Sequence, residues 1–182
     1  MTTLASRAQL RASFIRWALF LVPAVVLLGF LSGQLAGTGE GDPWFAALVK
    51  PDFYPAAELF PIVWAILYVM MGLAFALVCS AWGARGRTIA IVAFVVQFLM
   101  NLAWTPLFFG QHEITYALYL IVGLSVMILI TMILFFRVRK LAAVLLIPYL
   151  AWSIFAASLS TSCSKSTWSS GINTSSNSCT SS

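Results

Sequence analysis

The chain has 182 residues, of which 62% are apolar and only 8% charged. Ordinary globular domains run at about 45–50% and about 25%, so a water-soluble globule is excluded for want of surface charge. The net charge of +5 would suggest nucleic acid in a soluble chain. Here the mean hydropathy is +0.98 and the basic residues flank apolar runs, so the charge reads as membrane topology and no nucleic-acid partner is expected.

Five apolar runs are long enough to cross a hydrocarbon core of about 30 Å, which takes about 20 helical residues. In chain order they cover residues 17–35, 59–82, 88–109, 114–136 and 141–160. Backbone groups in lipid need partners within the protein, so each run is expected to be an α-helix. The alternating ten-residue segments of a membrane β-barrel are absent. The expected fold is therefore an all-α integral membrane bundle of five transmembrane helices. It divides into a basic N-terminal segment at 1–16, the bundle at 17–160, and a Ser/Thr-rich tail at 161–182 with little to bury, expected to be disordered.

The loops carry an orientation signal. Arg7, Arg11 and Arg16 precede the first run, Arg85 and Arg87 follow the second, and Arg137, Arg139 and Lys140 follow the fourth. Those three regions hold eight of the ten Lys and Arg residues. The positive-inside rule then predicts a cytoplasmic N-terminus and a C-terminus outside, and favours insertion into a bacterial cytoplasmic membrane. All five acidic residues, Glu40, Asp42, Asp52, Glu58 and Glu113, belong to the alternate side.

No acidic residue lies within the apolar runs. Ion-coupled transport normally leaves an intramembrane ionisable group, so a pump or ion-driven carrier is disfavoured. No nucleophile–base pair is evident for conventional hydrolysis. A lone histidine, His112, and three cysteines without ligand spacing give no expected metal site.

What the runs do carry is amides and aromatics. Gln97, Asn101 and Trp104 are spaced i, i+4, i+7 and share one helix face. An amide in lipid needs a partner, either as glue between helices or as a donor at the wall of an apolar cavity. Trp64 and Tyr68 lie one turn apart on the second run. Tyr149, Trp152 and Ala156 follow one another at helical spacing on the fifth. Aromatic belts at the membrane surface are the plain alternative, but Trp64 and Trp152 sit several residues inside their runs. The segment Lys50-Pro51-Asp52-Phe53-Tyr54-Pro55 is stiffened by two prolines. It reads either as a helix-start signal or as a lid.

Three separated motifs then resemble one family. The first is Trp44-Phe45, Lys50-Pro51, Pro55, Phe60, Trp64, Tyr68 and Gly72. The second is Gln97, Asn101, Trp104-Thr105-Pro106 and Phe108-Phe109, and the third is Pro148-Tyr149-Leu150, Trp152 and Phe155-Ala156. Their order and content are similar to the translocator protein family, also called tryptophan-rich sensory protein (TspO/MBR) or peripheral benzodiazepine receptor. The resemblance covers about residues 17–160. It implies a five-helix bundle with a ligand pocket closed by the first loop, and a homodimer, for which Ala90 and Ala93 offer small side chains. Family members bind porphyrins such as protoporphyrin IX and haem. Bacterial members are linked to tetrapyrrole efflux, to stress regulation and to light-dependent porphyrin breakdown, and some are reported in outer membranes.

Carried over by motif, the implied ligand-binding residues are Phe45, Pro51, Pro55, Trp64, Tyr68, Asn101, Trp104, Tyr149, Trp152 and Ala156. No cofactor is implied; the porphyrin is the ligand. No catalytic residue is implied either, unless the chemistry is photochemical, in which case Trp64 and Trp152 are the residues to test. Two departures stand out. Phe53 and Pro55-Ala56 replace the family's frequent Trp and double Pro, and no Tyr precedes a basic residue after Ser160, so cholesterol binding is not implied.

Overall fold

The computed structural model describes residues 7–35, 59–107 and 114–169. Long apolar stretches have only one way to satisfy their backbone in hydrocarbon, and five helices result. They are α1 (Arg7–Leu35), α2 (Leu59–Cys79), α3 (Arg87–Thr105), α4 (Ile114–Val138) and α5 (Lys140–Ser169). Each contains a stretch of 18 to 26 residues long and apolar enough to span a membrane.

The helix edges differ from the apolar edges where polar residues keep a helix going or backbone geometry stops it. α1 begins ten residues before Trp17, because the intervening Arg and Ala residues are good helix formers. α2 ends at Cys79 rather than Trp82. Its last carbonyl accepts a 2.8 Å bond from the Arg87 guanidinium, whose carbon also lies 4.3 Å from the centre of the Trp82 ring. The return into α3 passes through Gly86 at φ +82°, a left-handed conformation that glycine adopts without strain. α3 is α-helical up to Thr105; Pro106, which has no N–H to donate, keeps helical dihedrals, and the last turn widens to a π-turn over residues 106–107. α5 continues to Ser169, nine residues past the end of the apolar run at residue 160, and no proline or glycine follows Pro148 in the chain before Gly171. Residues 170–182 lie outside the described residues.

α1 packs on α2, α2 on α5, α5 on α4 and α4 on α3, and α3 closes the ring by touching both α1 and α2. Only one non-helical residue, Arg139, joins α4 to α5, and its N–H still bonds back to the Phe135 carbonyl. The centre is aromatic. Phe94 stacks on Phe75 at 4.2 Å and is flanked by Phe135 and Phe98 at 5.9 and 6.0 Å. Ile128, Leu146 and Met71 are fully buried in the same cluster. Leu19, Phe20, Leu27, Ile89 and Leu141 point outward, as lipid-facing side chains should.

Ala90 and Ala93 are buried inside the bundle. They cannot form the seam with a second copy that their small size suggested; they let α3 approach its own neighbours instead.

α1 and α2 come close because Gly72 has no side chain. A Cβ built there would lie 2.8 Å from the Val22 Cα, nearer than real Cβ contacts allow. Gly72→Ala is therefore expected to force the two helices apart and to destabilise the bundle by about 1–3 kcal/mol. Thermal unfolding in detergent measures this as a lowered Tm.

Candidate functional site

Trp64 lies near the start of α2, where Pro61 sits in the first turn and costs the helix nothing. Trp104 lies at the end of α3. Both therefore occupy the end of the bundle remote from the basic loops. Trp152, Tyr149 and Ala156 reach the same level from α5. Together with Asn101 these side chains line one small cavity, with α4 supplying the remaining wall through Ile121 and Leu124. Ser153 completes the lining.

The space is tight, with only about 10 Å³ open to the centre of a water-sized sphere. It holds about one water. The three tryptophans are half-buried, whereas Asn101 and Tyr149 are almost wholly buried. Trp64 lies 5.4 Å from the Tyr68 ring at 31°, and Trp152 lies 5.4 Å from Phe155 at 43°. Neither pair is face to face.

Polar groups cross-link the helices around this cavity. The Tyr68 hydroxyl donates to Asn101 Oδ1 at 3.3 Å, joining α2 to α3. The Ser125 hydroxyl donates to the Ile121 carbonyl at 2.8 Å. Its single hydrogen is then used, so at 2.7 Å Ser153 is the donor to Ser125, joining α5 to α4. One turn deeper than Asn101, Gln97 is fully buried, and neither carboxamide atom has a partner among the described residues. Each unmade bond of this kind costs about 1–3 kcal/mol. The region below the cavity therefore keeps unspent hydrogen-bonding capacity.

Six of the ten residues expected from the sequence are brought together here: Trp64, Asn101, Trp104, Tyr149, Trp152 and Ala156. Tyr68 stands behind the wall, holding Asn101 and backing the Trp64 ring. Phe45, Pro51 and Pro55 lie outside the described residues. Sequence reasoning missed Ile121, Leu124 and Ser153. The first two are ordinary aliphatic residues in an aliphatic run and carry no chemical signal. Ser153 was detectable only as a small polar residue beside Trp152.

A profile of the TspO/MBR family matches residues 20–165. The chain belongs to the TspO/MBR family. That match spans all the transmembrane stretches except the start of α1, and it contains every cavity residue named above. The chain is similar to the tryptophan-rich protein TspO of Chlorobaculum tepidum, at 42% identity over 64% of this chain and 74% of the relative. It is also similar to the tryptophan-rich sensory protein of Cereibacter sphaeroides, at 34% over 84% and 93%. The human translocator protein is 34% identical over 72% of this chain and 79% of its own. As in any member of this membrane family, lipid surrounds the bundle.

The Tyr68–Asn101 bond is expected to hold the α2–α3 contact beneath the cavity. Tyr68→Phe removes the donor and leaves a buried acceptor without its partner. A loss of about 1 kcal/mol is expected, read as a lower Tm in detergent, with Asn101→Ala adding little on top of it in a double-mutant cycle.

Proposed function

We propose that this protein is a membrane receptor or carrier for porphyrins, of which protoporphyrin IX and haem are the candidates. The observation that carries the reading is the convergence of Trp64, Trp104 and Trp152 with Asn101 and Tyr149 on one cavity. Aromatic walls suit a flat conjugated ligand, and a few fixed polar groups orient it. The names of the relatives, tryptophan-rich sensory protein and translocator protein, agree with a receptor or carrier role.

A tetrapyrrole is far larger than the present cavity, so binding requires a wall to move. α5 supplies a place for that. Pro148 lies inside the helix and removes the hydrogen bond that its own N–H would make. Tyr149, Trp152, Ser153 and Ala156 all follow this interruption. The segment 36–58, which contains Phe45, Pro51 and Pro55, joins the ends of α1 and α2 on the cavity side and is proposed as the cover.

By the distribution of Lys and Arg, the N-terminus is placed in the cytoplasm and the cavity toward the outer side. The cytoplasmic membrane of a bacterium is the proposed location. A homodimer is carried over from the family resemblance, on a face other than that of Ala90 and Ala93.

Titration of the purified protein with protoporphyrin IX in the dark, followed by tryptophan quenching, tests this reading. Saturable binding at one site is expected. Trp64→Ala and Trp152→Ala should each weaken it by roughly tenfold, a loss of about 1.4 kcal/mol. Unchanged affinity in both folded variants overturns the assignment. The facing tryptophans also favour a second reading, light-driven porphyrin breakdown. Its signature is product formed only under illumination, and lost in Trp64→Phe.

A further inference from the structure

On the outer side of the α4–α5 seam, at the end with the basic loops, lies a second hollow of about 300 Å³. Its banks are Met132, Ile133 and Phe136 on α4 and Ala143, Val144 and Ile147 on α5. The tight joint at Arg139 sets the two helices side by side. Ala142 and Ala143, both buried, are too small to fill the space beside it. Ile133, Phe136, Val144 and Ile147 stand about half-exposed along the rim.

Water has nothing to bond to on these apolar walls, and a polar, roomy site is what ordered water requires. An acyl chain does fit them, since dispersion contact is all that the walls offer. One charged residue, Arg137, also lines the hollow. The Lys140 ammonium sits 5.7 Å from the centre of the Phe136 ring, and Arg139 lies between the two in sequence.

Among the described residues there is no Asp or Glu to meet these cations. All five acidic residues fall within 36–58 and 108–113 in the sequence. The described residues supply no counter-anion, and an apolar groove opens beside these cations. A phosphate diester bearing acyl chains meets both conditions, because guanidinium pairs with phosphate oxygens through parallel N–H donors. The cluster of three cations opposes a choline group and favours a headgroup with net negative charge.

We propose that the α4–α5 groove is a binding site for an anionic phospholipid of the leaflet on the basic-loop side, with its phosphate at Arg137 and Lys140 and an acyl chain between Phe136 and Val144.

The test is native mass spectrometry of the full chain in detergent, supplied with equal amounts of phosphatidylglycerol and phosphatidylcholine, with Tm measured in parallel. Retention of phosphatidylglycerol over phosphatidylcholine is expected. Arg137→Gln should reduce that preference about fivefold, the share of one basic residue at a membrane surface. Val144→Trp fills the groove from an exposed position; it should abolish retention without lowering Tm in lipid-free detergent. Arg85→Gln, at the same end but away from the groove, should change neither. Equal retention of the two lipids overturns the proposal, as does indifference to both Arg137→Gln and Val144→Trp. A Tm rise with inorganic phosphate alone equal to that with phosphatidylglycerol would reduce the site to a free-anion contact and overturn it. So would a Val144→Trp variant that loses a dimer but no lipid, since a second copy would then cover the groove.

Discussion

Apolar side chains gain nothing from leaving lipid for a protein interior that is just as apolar, so a bundle in hydrocarbon must be held by contact and by hydrogen bonds. The α1–α2 seam shows the first means, where Gly72 brings α2 against the backbone of α1 at Val22. The Phe75–Phe94–Phe135 stack shows it again at the centre. The second means appears as single bonds between helices: Tyr68 to Asn101, Ser153 to Ser125, and the Ser32 hydroxyl to the Leu102 carbonyl at 2.8 Å. Each ties two different helices.

These two means divide the molecule along its length. The end with the basic loops is closed by short connections and by rings packed on rings. The opposite end gathers Trp64, Trp104 and Trp152 with Asn101, Tyr149 and Ser153. Polar groups are costly in a dry interior unless paired, and among the described residues Gln97 has no partner. A fold shaped only for stability would have replaced Gln97 by an aliphatic residue. Gln97 instead stays buried one turn from Asn101, below a cavity walled by tryptophan.

Much of this was legible in the sequence because lipid imposes a simple grammar. Spanning length and apolarity located all five helices, and the i, i+4, i+7 spacing put Asn101 and Trp104 on the face that reaches the cavity. The helix ends were less legible. Cys79 ends α2 because a guanidinium from the next helix and a left-handed glycine intervene, and neither leaves a mark in hydropathy. Ser/Thr composition suggested a disordered tail from 161, whereas the helix persists to Ser169. Ile121 and Leu124 were invisible for a different reason: a wall residue with no polar group differs from a lipid-facing one only in where its neighbours are. Ala90 and Ala93 show the converse, since smallness alone does not say which neighbour is being admitted.

Tyr68 has a consequence for the walls of the cavity. Its ring fills the space left by Gly29 so completely that a Cβ there would overlap it, and its hydroxyl is tethered to Asn101 on the other flank. The ring is thus wedged between α1 and α3, and the first half of α2 has no slack in either direction. α5, with Pro148 inside it, is tied to α4 beyond that point by the Ser153–Ser125 bond. The Tyr68 ring therefore keys α1, α2 and α3 together beside the cavity, and Trp64 rests against that key.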